Sequence, residues 1–532
     1  MDLPKFDFFW QYIEYWASVD PNFPTIKFNN KIITSGELYE KVKKLAKAFL
    51  SFGLKRGDRI ITVLPSSPEY ILTFCATNMI GGILTPMDIR YRPADYQRFL
   101  THVEPKIIVL IGEMRGYDIL KTVKDVCLNA CPQAKIITVG STEFGEPFED
   151  LLTRKYDLDD ELEKARTSLN QDDGALIIFT GGTSGLPKAA LLSQGNLLYS
   201  IYYETKAILH NLEVLKVPQR ISVLANLPPS HVGGTEETIG CPLCGGMQLI
   251  CQETWSPYPV LEAIQKERIK FFGGVPTMMA ILLSLPDLEK YDLSSVKLIL
   301  VSGEKLSLEL LQGIQAKFSK NIINGYGSTE GGTETTFSSL GDPIEKLADG
   351  YAGFPLPEQE IKIVDDDGNE LPQGKEGEIL VRGPMTIKSY YKMPEEDKAG
   401  FTADGWCKMG DLGYKSEDGG LYIKGRKKFI IRVGSYTVLP TEIEDIVLQD
   451  PTVAMVAAIG IPDKIYGEQI WLYVVPEAGK KPDENKIIEL CKKQLADFKV
   501  PKKIFIKDSL PLTRLEKIDR VTLRNQVLSE MK

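Results

Sequence analysis

Short runs of β-branched and apolar residues alternate with helix-periodic stretches along most of the chain. Arg59-Ile-Ile-Thr-Val-Leu64 predicts a buried strand, Pro68 to Ala76 a helix, and Lys106-Ile-Ile-Val-Leu-Ile111 a second strand. Further strands are predicted at Lys270 to Val275, Val296 to Val301 and Asn321 to Gly325, separated by helices over Pro276 to Leu285 and Ser307 to Phe318. This alternation predicts an α/β fold with largely parallel sheets. Ligands of such sheets sit beyond the carboxyl ends of strands, so the loops after strands are where chemistry is expected.

The pattern changes near residue 350. Gln359 to Val364, the Asp365-Asp-Asp-Gly368 turn and Gly377 to Arg382 predict β-hairpins in a small barrel or sheet. After Gly425 come basic residues, two short strands and a helix from Pro440 to Leu448, then a compact Lys-rich α+β stretch to Lys532. The expected organisation is a large N-terminal domain, residues 1–427, of stacked, mostly parallel α/β sheets with a small β-barrel at about 350–427. A smaller, mobile α+β domain over residues 428–532 completes the chain.

Composition narrows the function classes. The 532 residues are 43% hydrophobic and 25% charged, which excludes disordered and collagen-like chains. The 72 acidic against 63 basic side chains, a net charge of −9, argue against nucleic acid as the main partner. Eight scattered cysteines fit a reducing compartment, and Cys241, Cys244 and Cys251 lack the fourth ligand of a zinc site. The longest apolar stretch, Tyr70 to Pro86, is broken by Asn78, Gly81 and Gly82. With no secretory pattern at the start, a soluble cytoplasmic protein without a transmembrane segment is expected.

The densest chemistry lies after the apolar run Ala175-Leu-Ile-Ile-Phe179. There Thr180, Gly181, Gly182, Thr183, Ser184 and Gly185 precede Leu-Pro-Lys188. Glycine freedom, three hydroxyls and a cation make a nest of donors suited to a polyphosphate. The order differs from a Walker loop, because Lys188 is followed by Ala189 rather than Ser or Thr. It also differs from a nucleophile elbow, because the glycine after Ser184 comes one residue too early.

This segment resembles the phosphate loop of the adenylate-forming superfamily, in its acyl- and aryl-CoA synthetase branch. Further motifs come in the family's order across nearly the whole chain. Leu227-Pro-Pro-Ser-His231 resembles the acid-pocket segment, and Val301-Ser-Gly-Glu-Lys-Leu306 the adenine-side loop. Tyr326-Gly-Ser-Thr-Glu330 is similar to the adenine-stacking and metal motif, and Trp406 to Asp411 to the ribose motif. Gly425-Arg-Lys-Lys428 resembles the hinge, and Leu510 to Lys517 the segment of the catalytic lysine.

The resemblance implies ATP, Mg²⁺, coenzyme A and a small carboxylic acid as ligands, with a homodimer compatible but not required. Acid and ATP would give acyl-AMP and pyrophosphate; coenzyme A would then displace AMP to give a thioester. Lys517, Lys188 and Glu330 would be catalytic. Thr180, residues 181–185, Lys188, Gly303, Glu304, Asn324, Gly325, Tyr326, Gly327, Ser328, Thr329, Glu330, Asp411, Arg426 and Lys517 would bind ATP or AMP. The Tyr326 ring offers a stacking face for adenine, Glu330 with Thr183 oxygen ligands for Mg²⁺, and Asp411 acceptors for ribose hydroxyls. Gly434, Ser435 and Tyr436 would border the coenzyme A tunnel, and Lys428 would be the hinge about which the C-terminal domain swings between steps.

His231, Val232, Gly233, Gly234, Gly303 and Gly327 would line the acyl pocket. Ser230 to Gly234 hold no carboxylate and none comes before Glu236, which speaks against an amino acid. The paired glycines are expected to leave space for an apolar acid larger than acetate: aromatic, alicyclic or medium-chain. An enzyme loading a carrier protein and a degenerate ATP- or AMP-sensing module are the alternatives. Ala189, Gln194, Met409 and Glu516 depart from the family pattern, which commonly has Gly, His, Thr and Gly there.

Overall fold

The computed structural model describes residues 3–140, 144–180, 187–433, 436–463, 467–495, 497–513 and 516–531. Among the described residues, three sheets precede residue 427 and one comes after it, apart from a two-stranded ribbon. The first large sheet has seven strands and is parallel except for one edge. Strands Arg59–Val63, Ile83–Pro86, Ile107–Ile111, Lys135–Val139 and Gly174–Thr180 run in one direction. Lys188–Ser193 pairs antiparallel on the last of these and places Lys188 opposite Thr180. The fold thus sets both ends of the donor-rich loop on one rung at the carboxyl end of a buried strand.

Local signals explain the elements. In the helix Ser35–Ser51, Leu38, Val42, Leu45 and Phe49 recur on one face and are buried. Its N-terminus is closed by a capping box between Thr34 and Glu37. Pro68–Met79 begins with Ser67 accepting from the Tyr70 amide and with Pro at the first turn, where a missing N–H costs nothing. The helix Gln194–Val214 is buried along most of its length, packing on Lys188–Ser193 on one side and on Gly332–Phe337 on the other. It therefore joins the seven-stranded sheet to the next one.

That second sheet has nine strands. Phe271–Gly274, Leu298–Ser302 and Ile322–Ser328 are parallel, as their intervening helices require. The chain then doubles back through Gly332–Phe337 and Tyr351–Pro355, and the rest of the sheet is antiparallel. The hairpin Glu360–Val364 with Gly377–Arg382 forms as expected. The small barrel does not. Among the described residues these strands extend the nine-stranded sheet as an open path from Tyr351–Pro355 to Glu360–Val364. Alternation in sequence sets local pairing but not whether the last strand returns to the first.

After Arg426, a single helical turn at Lys427–Phe429 leads into a separate five-stranded sheet whose longest pair is Val453–Asp463 with Gly467–Pro476. Pro440–Val447, Glu484–Gln494 and Arg520–Glu530 are its helices. No helix among the described residues is long and apolar enough to cross a membrane.

Candidate active site

The strand ends bring the separated motifs together. Thr180 donates its hydroxyl to Glu330 Oε1 at 3.0 Å, across 150 residues of sequence, and Tyr390 donates to the same oxygen at 3.3 Å. Ser328 builds the turn beneath Glu330 by accepting from the backbone amides of Glu330 and Gly331, each at 3.2 Å. Lys188 Nζ lies 3.0 Å from Glu396 Oε2 and over the Tyr390 ring at 5.0 Å. A cation, two carboxylates and hydroxyls thus gather where the chain leaves Thr180 and returns at Lys188. Residues 181–185, including the expected metal ligand Thr183, lie outside the described residues.

A second group forms where the strand Cys407–Lys415 pairs with Leu421–Arg426. Asp411 and Arg426 are cross-strand partners on one rung, with Arg426 Nε 3.0 Å from Asp411 Oδ1. The Tyr326 hydroxyl donates to Asp411 Oδ2 at 2.9 Å, and Arg426 also donates to the Met409 carbonyl at 2.9 Å. Burial pushes the Asp411 carboxyl up, opposed chiefly by the Arg426 charge. Arg426 is held more firmly protonated, with Asp411 as the largest cause. Met409 accepts from Arg426 through its carbonyl and from the Ser328 hydroxyl through its sulfur at 3.7 Å, and it has no hydroxyl to donate.

Lys517 comes from the last sheet's side and reaches the loop after Leu298–Ser302, in the nine-stranded sheet. Its Nζ donates to the carbonyl of Gly303. Burial lowers its pKa, and Glu304, the largest opposing influence, raises it. Gly303 has φ of +92°, a backbone shape that calls for glycine, and a Cβ there would stand 3.0 Å from the flexible end of Lys517. Glu516 adopts φ of +61°, the left-handed region that suits glycine and costs another residue roughly 1 kcal/mol. Lys305 pairs with Asp445, and Thr441 donates to the Lys424 carbonyl at 2.9 Å, holding the helix Pro440–Val447 against the same loop and strand.

Other expected residues fall elsewhere or play backbone parts. Asn324 is buried with its amide on the Tyr351 carbonyl at 2.8 Å, so its side chain is committed to the sheet. A Cβ on Gly327 would lie 2.2 Å from the Thr333 carbonyl; this glycine permits the tight turn back to Gly332–Phe337. Thr329 is buried at the same turn. Gly434 and Ser435 lie outside the described residues, as do the side chains of Tyr436 and Lys428.

The acid-pocket glycines need correction. His231 caps the short helix Val232–Thr235, its Nδ1 accepting from the Gly233 amide at 3.2 Å, and burial pulls its pKa down to about 4, so the ring is neutral. Behind it, Gly234 leaves no room, because a Cβ there would be 2.0 Å from the Pro228 carbonyl. Gly233 opens onto Glu237, whose Oε2 would be 3.1 Å from an added Cβ, and Gly325 faces Glu334 in the same way at 2.3 Å. Glu204, Glu236 and Glu334 are buried nearby. These carboxyls, with Tyr390 and Glu396, do not stand out in the sequence. Two adjacent acids inside the otherwise uncharged run from Leu224 to Leu249 are the one signal it carries for them.

The AMP-binding enzyme family model matches residues 13–391, and the model for the AMP-binding enzyme C-terminal domain matches residues 442–517. Indoleacetate–CoA ligase of Aromatoleum aromaticum is 28% identical over 524 residues, covering 97% of this chain and 98% of that protein. Long-chain-fatty-acid–CoA ligase of Bacillus subtilis is 28% identical over 534 residues, covering 96% and 92%. ATP-bound MatB from Rhodopseudomonas palustris superposes with a TM-score of 0.85 at 27% identity, covering 98% of this chain and 100% of that one. Matching models on both sides of Arg426, and full-length relatives that are acyl- and aryl-CoA ligases, place this chain in the AMP-binding enzyme family of adenylate-forming enzymes.

Proposed function

We propose that this chain is an ATP-dependent, AMP-forming carboxylic acid–CoA ligase. The observation that carries the reading is Lys517 seated at the Gly303 carbonyl, beside the loop that bears Glu304. In that place its ammonium would balance charge building between an acid's carboxylate and the α-phosphate of ATP. The carboxylate oxygen would attack phosphorus, pyrophosphate would leave toward Lys188 and the loop after Thr180, and acyl-AMP would remain. Asp411 would accept from the ribose hydroxyls, with Arg426 fixing its orientation and Tyr326 presenting a face to adenine.

Glu330 suits a divalent cation. It is a hard oxygen donor whose side-chain contacts from Thr180 and Tyr390 both fall on Oε1. Mg²⁺ bound there would neutralise phosphate charge, with Thr183 the second expected ligand.

The second step, attack of the coenzyme A thiol on the acyl carbon with loss of AMP, needs no cation where Lys517 stands. A division into residues 1–427 and a mobile domain 428–532 meets that need, with the hinge at Lys428 and the thiol path along Gly434, Ser435 and Tyr436. The apolar class of acid depends on Gly233 and Gly234 leaving space, a support that Gly234 withdraws and Glu237 qualifies.

Carboxylate-dependent exchange of pyrophosphate into ATP, over a panel of acids, tests the reading. Exchange followed by coenzyme A-dependent release of AMP is expected. Exchange without thioester, but with transfer to a phosphopantetheinyl carrier, would favour the carrier-loading alternative; no exchange with any acid would favour the sensor.

A further inference from the structure

Four glutamates from three elements meet behind the acid-pocket motif. Glu204 lies on the helix Gln194–Val214, Glu236 and Glu237 come just after the short helix capped by His231, and Glu334 lies on Gly332–Phe337. Glu204 is satisfied: its Oε1 accepts from the Ser200 hydroxyl and the Glu334 amide, both at 3.0 Å, and its Oε2 faces the Cys241 thiol at 3.6 Å. Glu236 accepts from the Thr333 hydroxyl through Oε2.

Two oxygens are left over. Glu236 Oε1 and Glu334 Oε2 are buried with no hydrogen-bond partner among the described residues, although Glu236 is 0% and Glu334 1% exposed. An unmet buried acceptor costs about 1–3 kcal/mol, a cost that a ligand bearing donors would lift. The Glu334 oxygen is the one that packs on Gly325, the residue before Tyr326 within the strand Ile322–Ser328. Glu237 is partly exposed and faces Gly233, on the pocket side. Glycines of three substrate motifs thus pack directly against Glu237, Glu334 and Lys517 in turn.

Among the described residues no Lys or Arg makes an ion pair with any of the four. Lys517 is the cation felt by Glu237, and burial pushes both that carboxyl and Glu236 up to about 7. Burial pushes Glu334 up well beyond the ordinary range, with Glu237 and Glu204 adding to the effect. A ligand that brings its own cation would relieve that cost and meet the unmatched acceptors with charge-assisted hydrogen bonds.

We infer, on the reading of this chain as an acid–CoA ligase, that Glu237 and Glu334 determine specificity for a carboxylic acid whose tail carries a protonated amine. Lys517 holds the carboxylate end and the two glutamates hold the ammonium end. The amine is not an α-amine paired beside His231, the arrangement for which the segment Ser230 to Gly234 offers no carboxylate; it lies one helical turn deeper, which suits an ω-amino acid.

Pyrophosphate exchange with γ-aminobutyrate, δ-aminovalerate and ε-aminocaproate, each against its methyl-ended isostere valerate, caproate or heptanoate, tests this. In the wild-type enzyme at least one amino acid is expected to exceed its isostere by about tenfold or more in kcat/KM. Glu237→Gln should lower that ratio by about tenfold, while protection of the variant by ATP against thermal unfolding shows that it folds. Isosteres that exchange better than every amino acid, or a ratio unchanged in the folded variant, would overturn the assignment and leave the ligase reading standing. Exchange with no acid would overturn that reading and the assignment with it.

Discussion

Lys517 donates to the carbonyl oxygen of Gly303, a residue 214 positions earlier in the chain and on the opposite side of Arg426. On the proposed reading, this contact suits the first of the two steps. An ammonium there would favour charge developing between phosphate and carboxylate more than a thiol attack that expels AMP.

Lys517→Ala should therefore reduce pyrophosphate exchange by about a hundredfold or more, while thioester formation from supplied acyl-AMP falls much less. The two half-reactions are measured separately by isotope exchange and by coenzyme A consumption. Equal losses would show that the lysine supports both steps or only the fold.

Asp411→Asn keeps the shape of the side chain but removes the charge that Arg426 and Tyr326 address. Loss of charge-assisted hydrogen bonds should raise KM for ATP by about 10- to 100-fold. A KM within about twofold of wild type, less than the loss of even one net hydrogen bond, would remove Asp411 from nucleotide binding.

Lys305→Ala breaks the ion pair to Asp445 between the Gly303 loop and the helix Pro440–Val447. Both side chains are partly exposed, so the pair is worth at most about 1 kcal/mol and adenylation should slow by no more than about fivefold. Stopped-flow comparison of both steps checks this, since a partial loss confined to the second step would contradict a role in the present arrangement.

The raised Glu236 carboxyl predicts a pH-dependent stability. Unfolded, the group titrates near 4.5; folded, at about 7. Between those values the native chain binds more protons than the unfolded one, so this group's contribution falls as pH rises through that window and stays low above it, by up to about 3 kcal/mol. Glu236→Gln should melt above wild type at pH 8 and lose that advantage at pH 5. Calorimetry that finds the same difference at both pH values would show the carboxyl to be ionised throughout.

Most of the fold was legible because its signals are local. Arg59–Val63, Pro68–Met79 and Gly377–Arg382 come from periodicity and turn residues within a few positions of each prediction. The open nine-stranded sheet was not, since closure depends on partners far apart in sequence. The motifs around Thr180, Tyr326, Asp411 and Lys517 could be read as separate phrases. Their meeting could not, and neither could the sharing of Glu330 by Thr180 and Tyr390, because a contact across 150 residues leaves no spacing to read. Gly233 and Gly234 show the ambiguity of glycine itself: the same residue type faces a side-chain carboxyl at one position and a backbone carbonyl at the next.

Asp411 and Arg426 face each other on the last rung before the chain leaves its sheet for the turn at Lys427–Phe429. Any rotation of the residues beyond that turn is pivoted close to a side chain that grips the Asp411 carboxylate. On the proposed reading, with nucleotide on that carboxylate and residues 428–532 mobile, the two would be in reciprocal linkage, each shifting the other's equilibrium by the same free energy. Nucleotide occupancy and domain posture would then be two readings of one balance.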